Sequence, residues 1–227
     1  MGKDCKKRCV APTSICKKQF MAMTGLLLCG FLLAHLSGNC LIYVSADAFN
    51  RYGHMLVTNP LILPAEMGLV ALFLAHICMA IKLTVENKNA RPQNYYLKSK
   101  TGRGATFASS TMPYTGMIIL IFLVWHLITV KYGPYYVTQV DGKEMRDLYR
   151  LLAENFSNPL HVAGYIFCVS ALGIHVSHGF WSAFQSFGIN HPRCNCLLKC
   201  VSKIFGLLMA LGYSALPLFL YLKGGKL

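Results

Sequence analysis

Phe20-Met-Ala-Met-Thr-Gly-Leu-Leu-Leu-Cys-Gly-Phe-Leu-Leu-Ala-His35-Leu-Ser-Gly-Asn-Cys-Leu-Ile-Tyr-Val44 runs without a single Asp, Glu, Lys or Arg. About 20 residues of α-helix cross a hydrocarbon core of ~30 Å, so this stretch reads as a transmembrane helix. It holds one imidazole, His35, well inside it. An ionisable side chain at that depth is costly and marks function. Four further apolar stretches of spanning length follow, at Leu61–Ile81, which carries Glu66, Met112–Val130, Leu160–Phe187 and Ile204–Leu222.

The bulk composition agrees. Charged residues make up 13% of the 227, against roughly 25% in soluble domains, and the mean hydropathy is +0.45. The fold expected is an all-α polytopic membrane protein of five transmembrane helices. A basic N-terminal segment, residues 1–19, precedes a single membrane domain over 20–227. The N-terminal run is too long for a signal peptide and lacks a small-residue cleavage site, so it reads as an uncleaved first helix.

The formal charge of +14 does not point to nucleic acid, because the basic residues lie outside the apolar runs. Fifteen of the 22 Lys and Arg fall in the N-terminal segment and in the second and fourth connections. Cytoplasmic loops carry that excess, so the N-terminus is expected in the cytoplasm and the C-terminus outside.

Orientation turns position into depth. At 1.5 Å per residue His35 and His126 lie ~22 and ~21 Å from the cytoplasmic face, and His76 and His175 about 9 Å from it. The four imidazoles, each from a different helix, thus make two pairs at two levels ~12 Å apart. One imidazole from each of two facing helices is what a haem iron needs on either side of its macrocycle. Two such haems fit between four helices, with the fifth, which has no histidine, packed outside them. A lone membrane histidine more commonly bonds a neighbouring helix. Four matched in depth favour haem. His178 is a rival to His175, and His54, His161 and His191 sit at or beyond the membrane edges.

Thr24-Gly25 precedes His35 by the interval at which Thr115-Gly116 precedes His126. Small residues let flat groups or backbones approach a membrane helix, and Gly30, Gly38, Gly68, Gly164, Gly173 and Gly179 offer similar room. The ten cysteines form no disulfide scaffold. Cys194, Cys196 and Cys200 lack paired CxxC spacing and read as ordinary thiols. Asp141-Gly-Lys-Glu144 has the form of a capping box, with Met145, Leu148, Tyr149, Leu152 and Phe156 at helical spacing beyond it. A surface helix is expected there, and another over Ser45–Met55. Glu66 reads as the only acid in the membrane-entry turns. It suits either proton exchange with a bound molecule or a helix N-terminus.

Phe31-Leu-Leu-Ala-His35-Leu-Ser-Gly-Asn39, Ala75-His76, Asn87-Lys-Asn-Ala90, Thr115-Gly-x9-His126 and His175-Val-Ser-His-Gly-Phe-Trp-Ser182 together resemble the dihaem cytochrome b subunit of succinate:quinone oxidoreductases. The resemblance spans nearly all of the chain beyond residue 19. It implies a five-helix anchor in the cell's cytoplasmic membrane, with flavoprotein and iron–sulfur subunits docked on the cytoplasmic side. It implies two b haems, a proximal one on His76 and His175 and a distal one on His35 and His126. His175 rather than His178 takes the ligand position, and Glu66 falls near an outer-side quinone site, menaquinone being the quinone implied. The basic stretch Lys98 to Arg103 would face the haem propionates or the iron–sulfur subunit. Some members carry a glutamate where this chain has Gly173, so transmembrane proton transfer by that residue is not expected. Such a chain is an electron-transfer subunit and not an enzyme alone, for it has no dinucleotide fingerprint and no iron–sulfur cysteine spacing.

Two other readings stand beside it. A dihaem anchor of a hydrogenase or formate dehydrogenase shares the mechanism and differs in partner. A haem-free transporter with histidines along a proton path prefers inverted repeats or helices broken at mid-membrane. Here Pro217 interrupts a span late, in the helix without histidine.

Overall fold

A computed structural model describes residues 13–90 and 107–224. The stretch Lys98 to Arg103 and most of the basic N-terminal segment lie outside the described residues. Among the described residues five helices are long and apolar enough to cross a membrane, as a multi-pass all-α membrane protein requires. They are α1 (Ser14–Asn39, prolonged by a 3-10 turn over Cys40–Tyr43), α3 (Ile62–Asn89), α4 (Phe107–His126, continuing as a π-helix over Leu127–Lys131), α6 (Pro159–Ser186) and α7 (Pro192–Leu222). Two short helices, α2 (Ala46–Thr58) and α5 (Leu148–Asn155), lie in the connections at one end.

Local chemistry sets the boundaries. Thr13, Ser45, Asp147 and Asn158 each accept a backbone N–H of the first turn that follows, in α1, α2, α5 and α6. Such caps contribute about 1 kcal/mol each. Pro159 and Pro192 open α6 and α7, where their missing N–H costs nothing. Gly188 (φ 82°) turns the chain out of α6, a conformation that a Cβ would oppose.

Several helices outrun the apolar stretches that announced them. α3 continues eight residues past Ile81, and α7 begins twelve before Ile204. Lys82, Glu86 and Lys88 therefore ride on α3, and Cys194, Cys196 and Cys200 are exposed on the first turns of α7. Glu86 pairs with Lys17 of α1 at 2.6 Å, so Glu66 is not the only acid at a membrane entry. Pro113 also falls inside α4, so Pro217 is not alone in interrupting a span.

The surface helix expected from Asp141-Gly-Lys-Glu144 does not form there. Asp141 (φ 53°) and Gly142 (φ 71°) take the left-handed conformation and close a hairpin. Its strands are β1 (Val137–Val140) and β2 (Lys143–Arg146), paired antiparallel with Val140 opposite Lys143. Asp-Gly with both residues at positive φ is a two-residue hairpin turn whose twist suits the strands. The helix starts only at Leu148, capped by Asp147.

The ends of the bundle differ. At the lysine end, Lys17, Lys18, Lys82, Lys88, Arg193 and Lys199 gather where α1, α3, α6 and α7 begin or finish. At the hairpin end, α2, α5 and the hairpin form a polar cap. Asn50, 2% exposed, donates to Asp147 at 2.9 Å and accepts the Tyr149 N–H at 2.9 Å. Arg146 donates to the carbonyls of Val130, Lys131, Gly133 and Pro134, which closes the end of the π-helix.

Burial is uneven. α6 is the hub, packed against α1, α4 and α7. α7 packs on α6 and α1, beside the helices that carry the histidines, and the contact is tight: Met209 is fully buried and Leu220 is 1% exposed. The reason is close backbone approach. A Cβ on Gly206 would stand 2.5 Å from the Gly173 carbonyl oxygen, and one on Gly173 would stand 2.7 Å from that of Gly206. Small residues at a crossing permit such contact in a membrane. α3, by contrast, rests mainly on α1 and contributes no buried residue.

Candidate functional site

The four membrane histidines come from α1, α3, α4 and α6. His35 and His126 face each other at the level nearer the hairpin end. Their ring centroids are 6.0 Å apart and their planes cross at 84°. Phe31 stacks on His35 at 5.3 Å, and Phe122 and Tyr165 flank His126 at 5.8 and 6.2 Å. His126 is the last α-helical residue of α4, and the π-helix begins at the next one. Helical irregularities of this kind are frequent at functional sites. Thr129, on the π-turn, is tied to the Tyr165 hydroxyl at 2.9 Å. His126 Nδ1 is buried and has no hydrogen-bond partner.

The other two sit nearer the lysine end, in matching seats. His76 Nδ1 lies 3.0 Å from Thr24 Oγ1, and His175 Nδ1 lies 3.1 Å from Thr115 Oγ1. The next residue in each case is a glycine. A Cβ on Gly25 would come within 3.3 Å of His76 Cε1, and one on Gly116 within 3.5 Å of His175 Cε1. The recurrent Thr-Gly therefore receives an imidazole from the neighbouring helix. His178 has no such seat; the Thr115 contact goes to His175.

Thr24 lies eleven residues before His35 on α1, which separates the two levels by about 16 Å along that helix. One pattern is thus used twice. The outgoing helix, α1 or α4, carries Thr-Gly and then a histidine; the returning helix, α3 or α6, lays its own histidine on that Thr-Gly.

The other glycines divide by role. Gly38 and Gly164 receive Tyr52 and Trp125, and Gly173 receives the backbone of α7. Gly30, Gly68 and Gly179 face open space. Glu66, in the first turn and a half of α3, is ion-paired with Lys131 at 2.5 Å. Thr24, Thr115, Asn50, Arg146 and Tyr165 carry the geometry and were not singled out by the sequence, apart from the Thr-Gly interval.

These residues fit a macrocyclic metal centre better than a bare ion. Among the described residues no three or more His, Cys, Asp or Glu side chains converge to hold a metal. Opposed imidazoles supply two ligands and leave the others to the cofactor. A separation of 6.0 Å between ring centres accommodates two metal–nitrogen bonds of about 2 Å each plus the half-width of each ring.

Comparison with known proteins supports the resemblance. The chain is similar to the succinate dehydrogenase cytochrome b558 subunit of Bacillus subtilis (strain 168), with 26% identity over 188 residues, covering 82% of this chain and 85% of that protein. No family model matches the chain, and no solved structure matches it.

Proposed function

We propose that this chain is the membrane-anchor cytochrome b subunit of a succinate dehydrogenase or fumarate reductase, joining an iron–sulfur subunit to membrane quinone by way of two bis-histidine b haems. The observation that supports the reading is the repeated geometry: four histidines from four helices, His35 facing His126 and, nearer the lysine end, His76 and His175 each seated on a Thr-Gly of the neighbouring helix. When bound, each haem supplies a one-electron couple at its iron. The chain supplies the rest. His76 and His175 hold the proximal group and His35 and His126 the distal one, while the surrounding apolar side chains keep water from both.

Orientation follows the basic residues. The lysine end faces the cytoplasm and receives the flavoprotein and iron–sulfur subunits, in the cytoplasmic membrane of the cell. The hairpin end faces outward and carries the Glu66–Lys131 ion pair. Glu66 is the carboxylate assigned to proton exchange with the quinone there, menaquinone by resemblance. Its partner Lys131 is half-exposed, so the pair orders the site more than it stabilises the fold. The similarity to a succinate dehydrogenase subunit favours that complex over a hydrogenase or formate dehydrogenase anchor.

Affinity purification of the tagged chain from its own membranes tests the proposal. The expected product is red and carries a flavoprotein and an iron–sulfur polypeptide with succinate-oxidising activity. A colourless chain purified without those subunits overturns it.

A further inference from the structure

A threonine hydroxyl has one proton, and in both seats that proton has a prior acceptor. Thr24 Oγ1 lies 3.1 Å from the Phe20 carbonyl oxygen and 3.0 Å from that of Met21. Thr115 Oγ1 lies 3.1 Å from the Thr111 carbonyl oxygen and 3.2 Å from that of Met112. Back-bonding of this kind is the usual state of threonine within a helix. A hydroxyl that donates to its own helix can only accept from the imidazole. Nδ1 of His76 and of His175 must then carry the hydrogen, and Nε2 keeps its lone pair. Which ring nitrogen binds a metal is set by the bond the other one makes.

We propose that Thr24 and Thr115 are positioning residues: each fixes the tautomer of the histidine it receives, and both act on one of the two haem sites. This deepens the proposed function and rests on it. The neighbouring glycines let each ring lie close: a Cβ would stand 3.3 Å from His76 Cε1 at Gly25, a tight fit, and 3.5 Å from His175 Cε1 at Gly116, ordinary contact. The site nearer the hairpin end is built differently, since His126 Nδ1 is buried without a partner.

A sign follows from the chemistry. An N–H donated to an acceptor makes the imidazole a more basic ligand, which favours ferric over ferrous iron. Loss of the acceptor raises the midpoint potential of the haem that His76 and His175 hold. The other haem keeps its potential, which supplies an internal control.

The experiment is redox titration, followed optically, of the purified complex carrying Thr24→Val, Thr115→Val, Thr24→Ser or Thr115→Ser. Valine keeps the shape and loses the hydroxyl; serine does the reverse. Either valine variant is expected to raise the midpoint of the same single component by roughly tenfold in ferrous preference, about 59 mV for one electron. The serine variants stay at the wild-type potentials. A valine variant that loses one haem and keeps the other, with its serine counterpart holding both, supports the same assignment. Valine variants with unmoved potentials, shifts in different components, or serine variants that shift as far as valine overturn the inference. Absence of haem from the wild-type complex instead overturns the function on which it rests.

Discussion

Small polar side chains fix the contacts between several elements of this molecule. Thr24 and Thr115 seat an imidazole apiece, and Asn50 ties α2 to the turn before α5. Asn50 is 2% exposed, and both ends of its amide are used, toward Asp147 and the Tyr149 N–H. Removing it leaves a buried N–H without an acceptor, which costs about 1–3 kcal/mol. Asn50→Ala is therefore expected to lower the thermal midpoint of the detergent-solubilised protein without changing its absorption spectrum, because Asn50 touches no membrane histidine. An unaltered midpoint would show that the polar cap does not hold the hairpin end. The Thr-Gly interval was visible in the sequence, but its occupant was not. The residue that fills the space beside a glycine depends on the rotation of the next helix, which no linear spacing encodes.

At the scale of elements, hydropathy located all five spans and misplaced their ends. An apolar run stops where water begins, whereas a helix stops where its backbone bonding is capped or broken. α7 accordingly starts at Pro192, twelve residues before its apolar stretch, and α3 runs on through Lys82, Glu86 and Lys88. Asp141-Gly-Lys-Glu144 satisfied two local patterns at once, capping box and hairpin turn. The turn prevailed because Val137–Val140 offers a strand partner for Lys143–Arg146. The α6–α7 crossing brings backbone against backbone with little slack. At Gly206 even a methyl group would stand 2.5 Å from the Gly173 carbonyl oxygen and 2.5 Å from Ser177 Cβ. Gly206→Ala is expected to destabilise the protein by about 1–3 kcal/mol, read as a lower thermal midpoint or earlier proteolysis. A variant as stable as the wild type would mean that the two helices cross more loosely than described.

Over the whole molecule, one unit of helix, Thr-Gly and histidine appears twice, and α7 braces it. Charge and length group His35 with His126, whose rings lie 6.0 Å apart, and His76 with His175. The packing order was not legible in the same way. The fifth helix lacks a histidine, yet its glycine lets it press closely against α6, and Met209 is fully buried there. α3 bears a histidine and rests mainly on α1, with none of its residues buried. Chemistry-bearing residues show in a sequence, whereas small residues that let backbones meet show only as gaps. The assignment of two haems to two histidine pairs is tested most directly by pyridine-haemochrome quantitation on the purified chain and on its four single His→Ala variants. Two b haems are expected in the wild type and one in each variant. His76→Ala and His175→Ala remove the same spectral component, and His35→Ala and His126→Ala the other. A wild type holding one haem or none, or variants whose losses pair His76 with His126 or with His35, would contradict it.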